Sequence, residues 1–335
     1  MNQKKHYTKV CKQPWETMII STRGDVSACC GGYHIGNIKE EEDVWNSDKA
    51  KELRKNLIEG NAKNQCAICP YYKIHTNSEL SDEPERPSSY DDKILVDNPK
   101  RIELYVTEKC NLKCFMCSTA SRHGGVSIDL NKEMLTYIAE KYFSKLETLN
   151  TNCGGEIFLY KDFELLLELL EKYRPKHVNT NSAGSLKISE ETWERVAKTH
   201  DLICFSVDAA TPLTHKIIRG FEFSRLLENI EILRKIKEKK INPKFNYGFN
   251  YVCMKLNIKE TAEFVKKAWF EWGASVITLM HVTGIENLGQ SILVDKEARI
   301  SFNKEIDKII EMQKEHNMHI VNVNYCLDKN GEIER

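Results

Sequence analysis

The sequence predicts an α/β protein in which a parallel sheet curls into a barrel or partial barrel, preceded by a smaller, irregular module. Three observations carry this expectation. From Arg101 onward, short apolar strand-like runs alternate with amphipathic helical periods. Residues 76–100 hold Pro84, Pro87 and Pro99 among Ser, Asp and Glu, with no apolar period, as a domain boundary does. The 12 cysteines are grouped: Cys11, Cys29, Cys30, Cys66 and Cys69 precede that segment, and Cys110, Cys114 and Cys117 follow it closely. The expected organisation is a cysteine-bearing module over 1–75, a linker over 76–100 and the barrel with a C-terminal extension over 101–335.

In the first module, residues 17–20 and 26–28 flank Ser21-Thr22-Arg23-Gly24-Asp25 and read as a hairpin, while 45–58 has helical spacing. In the barrel, strands are expected at 102–106, 148–153, 177–181, 202–208, 245–252 and 275–281. Met134, Tyr137, Ile138 and Tyr142 share one helical face, and further helices are expected at 163–173, 189–198, 224–237 and 258–272. Ser189 and Ser224 stand where N-caps belong, and Gly273 where a helix stops. Strand–helix steps of this kind give right-handed crossovers and a parallel sheet, with ligands collecting at the C-terminal strand ends.

Composition narrows the function. The chain has 335 residues with 49 Lys+Arg against 49 Asp+Glu, so charge makes no case for a nucleic-acid or membrane partner. Residues 1–10 are polar and basic, and no run approaches the ~18 apolar residues of a membrane span. A cytoplasmic location is therefore expected, and with it thiols held for metal rather than a disulfide scaffold.

The run Val106-Thr107-Glu108-Lys109-Cys110-Asn111-Leu112-Lys113-Cys114-Phe115-Met116-Cys117 follows the first barrel strand, at the ligand-binding end. Three thiolates spaced C-x3-C-x2-C can wrap an iron-sulfur cube and hold three of its four irons, leaving one open. A structural zinc site prefers four closed ligands, so three cysteines suit it poorly.

These residues resemble the defining motif of the radical S-adenosylmethionine (radical SAM) enzymes. The resemblance implies a partial (β/α)6 TIM-like barrel of the radical SAM type and a 4Fe-4S cluster on Cys110, Cys114 and Cys117. In that family the open iron binds SAM, and an electron splits SAM into methionine and a 5'-deoxyadenosyl radical that removes a hydrogen atom from substrate. Met116 stands where the family often has an aromatic residue near adenine. Gly154-Gly155-Glu156 looks like the family's Gly-Gly-Glu motif, where the glycines admit close backbone approach and Glu156 accepts from the SAM ammonium. Asn181 ends the third strand, as in the family. Ser206-Val207-Asp208 ends the fourth, and Lys216-Ile217-Ile218-Arg219-Gly220 is similar to the Ile-Arg-Gly stretch. The resemblance thus implies SAM contacts for Met116, Gly154, Gly155, Glu156, Asn181, Ser206, Asp208 and Arg219, with Ser206 on the ribose or carboxylate and Arg219 on the carboxylate.

Gly24 with Cys29, Gly36-Asn37-Ile38, Val44-Trp45-Asn46-Ser47 and Cys66-Ala67-Ile68-Cys69 resemble the SPASM or twitch modules of the same enzymes, here ahead of the barrel instead of behind it. Those modules bind an auxiliary 4Fe-4S cluster. The expected ligands are Cys11, Cys29, Cys66 and Cys69, with Cys30 in reserve; a zinc knuckle on the same residues stays open. Cys153 and Cys204 lie in strand patterns and read as small buried residues, and Cys326 can pack or cover the cleft. Cys253 ends the fifth strand and, besides packing, could return a hydrogen atom to a substrate radical. His281, at the end of the sixth, is a structural histidine or a substrate contact.

The expected function is a radical SAM oxidoreductase or epimerase acting on an unactivated C–H bond of a small polar substrate such as a sugar or aminocyclitol. Peptide modification is the runner-up. The resemblance also implies an electron donor such as flavodoxin or ferredoxin. A non-catalytic iron-sulfur or zinc protein, transferring electrons or sensing redox state, is the rival of another class.

Overall fold

The computed structural model describes residues 11–29, 32–59, 62, 64–66, 94–117, 126–151, 154–282, 289–321 and 324–335; Cys30, Cys69 and Cys153 lie outside these. The chain forms two units: Met1–Val106 with Ile128–Asn152 and Glu164–Val178, and Thr107–Ser127 with Cys153–Phe163 and Asn179–Arg335. This division differs from the boundary expected over 76–100, because Arg101–Leu104 pairs in parallel with Thr17–Ile20 and so joins the N-terminal module.

The first unit contains α1 (Gln13–Glu16), β1 (Thr17–Ile20), β2 (Asp25–Ser27), β3 (His34–Asn37), α2 (Asp48–Ile58), β4 (Arg101–Leu104), α3 (Lys132–Tyr142), β5 (Thr148–Asn150) and most of α4 (Phe163–Lys172). Its strands run in the order β5-β4-β1-β2-β3, antiparallel along β1-β2-β3 and parallel along β1-β4-β5. The expected hairpin forms because the Ser21 hydroxyl accepts the Arg23 and Asp25 amides (3.2 and 3.1 Å) while Gly24 takes φ +87°. The helix expected over 45–58 starts later: Ser47 interrupts it, capping α2 by accepting from the Ala50 amide (3.2 Å) and donating to the Ile35 carbonyl (2.6 Å). Trp15, Trp45, Val26, Ile35, Leu53 and Ile102 are buried, and so is Arg54.

The second unit carries most of β6 (His177–Ser182), then α5 (Glu190–Thr199), β7 (Leu202–Ser206), α6 (Pro212–Arg219), α7 (Phe223–Glu238), β8 (Asn246–Cys253), α8 (Thr261–Phe270), β9 (Val276–His281), α9 (Lys296–Glu315) and β10 (Ile320–Val321). The strands β6 to β10 lie in sequence order and pair in parallel throughout. Ser189 caps α5 as expected, accepting from the Thr192 amide at 3.1 Å. Ser224 caps nothing: α7 begins at Phe223, whose ring is buried against His215 and Trp272 and fixes the first turn. Alternation divides the sheet into two faces. Phe205, Tyr247, Phe249 and Tyr251 point at the helices, meeting Trp193, Phe264 and Trp272, while Asn181, Ser206, Asn250 and Thr278 fall on the opposite face. Among the described residues no helix is long and apolar enough to cross a membrane.

Candidate functional site

The cysteine loop is fixed within the second unit from three sides. From one side, Gly155 lies against the backbone of the loop: a Cβ placed there would come within 2.0 Å of the Lys109 carbonyl oxygen, and the next amide, Glu156 N–H, donates to that oxygen at 2.7 Å. Only glycine admits this approach, which ties the Gly-Gly-Glu turn to the residue before Cys110. Gly154 flanks it, half-buried. From a second side, the Phe115 amide donates to the Ile218 carbonyl at 2.8 Å, docking the middle of the loop on the last turn of α6. There Phe115 and Met116 pack with Val252 against Ile218, Met254 and Val282. From the third, the Arg219 guanidinium donates to Cys114 Sγ at 3.5 Å.

Glu156 is fully buried, and its oxygens accept from the Ser182 hydroxyl and the Ala183 amide, both at 2.8 Å, at the end of β6. Burial raises its pKa, opposed by these donors and by Arg219. Asp208 is also fully buried and has φ +62°, in the left-handed region that few non-glycine residues occupy. Its carboxylate accepts the Val252 amide at 2.7 Å and forms an ion pair with Arg219, and its carbonyl accepts from Asn257 Nδ2 at 2.9 Å. Burial raises the Asp208 pKa against the pull of the guanidinium. Arg219 is therefore no solvated helix-end charge: its side chain is 12% exposed, Asp208 and Cys114 occupy its two ends, and its Nε–H is buried without an acceptor.

Cys114 is buried, and Cys110 and Cys117 are half-buried. The Cys110 thiol is pushed up to about 11, first by burial, with Glu156, Cys114 and Cys117 adding to the rise against the Leu112 amide. The donor set, the fixed cation at Cys114 and the glycine cradle fit an anionic iron-sulfur cube whose iron takes up thiolates and displaces their protons. Among the described residues no three His, Cys, Asp or Glu side chains gather as a single-ion site.

The face of the sheet opposite Trp193, Phe264 and Trp272 carries a polar row. Asn250 Nδ2 donates to Asn181 Oδ1 at 3.1 Å; Ser206 is the register partner of Asn250, which in turn is the partner of Thr278. Asn181 and Ser206 are half-buried near the C-terminal ends of β6 and β7. Cys253 lies on the other face. It shares the helix-packed side with Tyr251, is 0% exposed, and burial raises its thiol well above the ordinary range, as in a packed core cysteine. His281 packs likewise on Phe302 of α9 (ring centroids 5.2 Å). Cys204 and Cys326 are buried, the latter bound through its backbone to Asn303 of α9. Of the N-terminal cysteines, Cys11 is exposed and Cys29 and Cys66 half-buried, with Cys66 in electrostatic reach of Tyr33.

His215 of α6 is buried beneath Phe221 and Phe223, with Nδ1 3.2 Å from the Phe221 carbonyl and Nε2 without a partner. Burial lowers its pKa to about 4, and Arg219 adds to the fall while the Phe221 carbonyl and Glu222 oppose it. An unfolded histidine titrates near 6.5, so between about pH 6.5 and 4 the unfolded chain binds the extra proton and stability falls with pH. The expected loss is on the order of 3 kcal/mol at most. Denaturant midpoints measured across this window should fall more steeply for the wild type than for His215→Phe; parallel curves would remove His215 as the cause.

A cysteine loop held at the strand ends of a parallel sheet defines a cluster-binding α/β protein. Residues 104–268 match the family model of the radical SAM superfamily, and residues 11–70 that of an iron-sulfur cluster-binding domain, SPASM. The chain belongs to the radical SAM superfamily, with its SPASM domain ahead of the radical SAM domain, and its cofactors are SAM and 4Fe-4S clusters. Among solved structures, native anSMEcpe with bound AdoMet is 19% identical with a TM-score of 0.50, covering 66% of this chain and 63% of that one. Streptococcus suis SuiB bound to precursor peptide SuiA is 16% identical with a TM-score of 0.51, covering 82% and 61%. SuiB bound to S-adenosylmethionine is 14% identical with a TM-score of 0.50, covering 93% and 71%. At these identities the likeness shows the fold, and this chain spans 63% and 61% of the length of the first two. A comparison with curated proteins finds no match.

Proposed function

We propose that this chain is a radical SAM enzyme in which Cys110, Cys114 and Cys117 hold the SAM-binding cluster and Cys11, Cys29, Cys66 and Cys69, with Cys30 in reserve, hold the auxiliary one. The observation that carries the reading is the three-sided fixation of the C-x3-C-x2-C loop by Gly155, Ile218 and Arg219. The chemistry supplied by the bound cluster and SAM is reductive cleavage of SAM to a 5'-deoxyadenosyl radical that removes a hydrogen atom from an unactivated C–H bond. The protein's share is position. Gly154 and Gly155 bring backbone close to the cluster loop, Met116 offers an apolar surface, and Asn181, Ser206 and Asn250 offer hydrogen-bonding groups to SAM or a polar substrate. Glu156 and Asp208 reach the ligand through what they position, since their carboxylates are already bound to the protein. Cys253 is given no step, because it faces the helices.

For substrate, the polar row suits a small polar molecule, and net oxidation or epimerisation would follow from how the substrate radical is quenched. A second reading, peptide modification, is favoured by two solved relatives, SuiB bound to precursor peptide SuiA and anSMEcpe bound to AdoMet and the Kp18Cys peptide. An external one-electron donor such as flavodoxin or ferredoxin completes the requirement.

Anaerobically reconstituted chain, reduced and given SAM, is expected to release 5'-deoxyadenosine and to hold about eight irons, two four-iron clusters. Cys114→Ala should lose the cleavage. Intact clusters without SAM cleavage would support the electron-transfer rival, and about four irons with one zinc would put zinc in the N-terminal module.

A further inference from the structure

One contact of Arg219 differs from the one the family resemblance implies. Arg219 was expected on the SAM carboxylate; in the structure its Nη1 lies 3.5 Å from Cys114 Sγ, and its Nη2 faces the buried carboxylate of Asp208. We infer that Asp208 and Arg219 form a positioning pair that holds a fixed positive charge and an N–H donor on the Cys114 sulfur, thereby raising the reduction potential of the cluster bound there.

Four features make the pair a built device. Arg219 is the last residue of α6, and Gly220 at φ +82° turns the chain away immediately after it, so the guanidinium is delivered from a fixed backbone point. Asp208 is held in its left-handed conformation from both ends, its carbonyl by Asn257 and its carboxylate by the Val252 amide. Asn257 is itself fixed, donating also to the Val252 carbonyl at 2.9 Å and accepting from the Met254 amide at 2.7 Å. Strain of this kind persists only where the surroundings over-determine it. Finally, the Phe115 amide bond to Ile218 locks the cysteine loop to the same turn that carries Arg219, so sulfur and cation keep their distance.

The electrical consequence follows from charge. Reduction adds an electron that is shared with the ligating sulfurs. A donor hydrogen bond and a cation at one of those sulfurs stabilise the reduced form more than the oxidised form. Arginine keeps its proton throughout, so the effect is permanent. Asp208 orients the planar fork, which a lysine ammonium cannot reproduce.

The inference rests on Cys114 ligating the SAM cluster, and the experiment separates the two. Reconstituted full-length chain is titrated anaerobically, reading the cluster whose spectroscopic signal changes on adding SAM. In Arg219→Gln, reduction of that cluster should become at least about tenfold less favourable, about 59 mV more negative for a one-electron couple. Arg219→Lys should fall between it and the wild type, and the auxiliary cluster should keep its potential in both. A SAM-sensitive cluster that survives intact in Cys114→Ala would overturn the parent reading. If Cys114→Ala removes that cluster while Arg219→Gln leaves its potential unchanged or higher, the inference alone fails. Failure of both Arg219 variants to assemble the cluster would also overturn it, since the pair would then serve folding rather than potential.

Discussion

Gly155→Ala is expected to cost the chain its SAM-binding cluster while the second unit stays folded. The added methyl would stand 2.0 Å from the Lys109 carbonyl oxygen and 2.7 Å from the carbonyl carbons of Glu108 and Lys109. All three are backbone atoms, with no flexible side-chain end to swing aside. Either the Gly-Gly-Glu turn or the cysteine loop must retreat, and either movement breaks the bond from the Glu156 amide to Lys109, at about 1–3 kcal/mol for a buried group left unpaired. Cys110 adjoins Lys109, so the retreat displaces one thiol from its two partners. Iron should drop from about eight to about four per chain, with loss of 5'-deoxyadenosine release. Gly220→Ala is the control. Its φ of +82° strains a side chain, yet no atom lies within 4 Å of the added carbon, so it should cost only about 1 kcal/mol and keep both clusters. A Gly155→Ala chain with full iron and wild-type cleavage would show that the two loops are not pressed together as described.

The contrast between these glycines explains why the site was only partly legible in the sequence. Cysteine spacing is a local pattern, and the C-x3-C-x2-C run announced its chemistry without any fold. Gly155 was legible through resemblance, but its reason, a carbonyl 46 positions earlier in the chain, was not. Arg219 shows the limit more sharply. A basic residue in the last turn of a helix reads as a dipole partner in solvent, and the family motif reads it as a carboxylate ligand. Its pairing with Asp208 and Cys114 depends on α6 packing its C-terminal turn against the cysteine loop. Asn257 and Asn250 gave no signal at all, because asparagine after a strand or within one has many local uses.

The strands of the second unit were legible because their apolar runs are buried on the helix side by large rings, and each expected strand is present within a few residues. The face that each strand-end residue takes was harder to read. Cys253 lies one position beyond Val252, and a one-residue step along a strand exchanges the two faces. Its exclusion from the face that carries Asn250 is thus a matter of phase, fixed by Tyr247, Phe249 and Tyr251 packing on Trp272 and Phe264. The first unit was legible as a hairpin and a helix, whereas the parallel pairing of β1 with β4 joins residues about eighty positions apart and leaves no local trace.

Arg54→Met should be the most damaging single change in the first unit. Residue 54 lies in α2 and is 0% exposed: Nε donates to the Pro14 carbonyl at 2.8 Å, Nη2 to the Trp45 carbonyl at 2.8 Å, and Nη1 to both the Ile94 carbonyl and Asn46 Oδ1 at 3.0 Å. The guanidinium also stacks 4.7 Å from the Trp45 ring. Burial lowers its pKa to about 10, partly offset by Asp43, so the charge persists at neutral pH. One planar fork therefore gathers α1, the turn before α2 and the segment leading to β4. Methionine preserves the stem but leaves four acceptors without this donor, at about 1–3 kcal/mol for each that water cannot reach. A loss of at least about 4 kcal/mol is expected, a range that breaking a buried polar network can reach. Lysine, with a point charge and no fork, should recover only part of it. Because Cys11, Cys29 and Cys66 belong to this unit, the auxiliary cluster should be lost with it, while the cysteines of the second unit keep theirs. Urea midpoints together with iron content read both effects. A wild-type midpoint in Arg54→Met would mean that solvent serves these carbonyls as well as the arginine does, and would leave the buried tryptophans alone to hold the unit together.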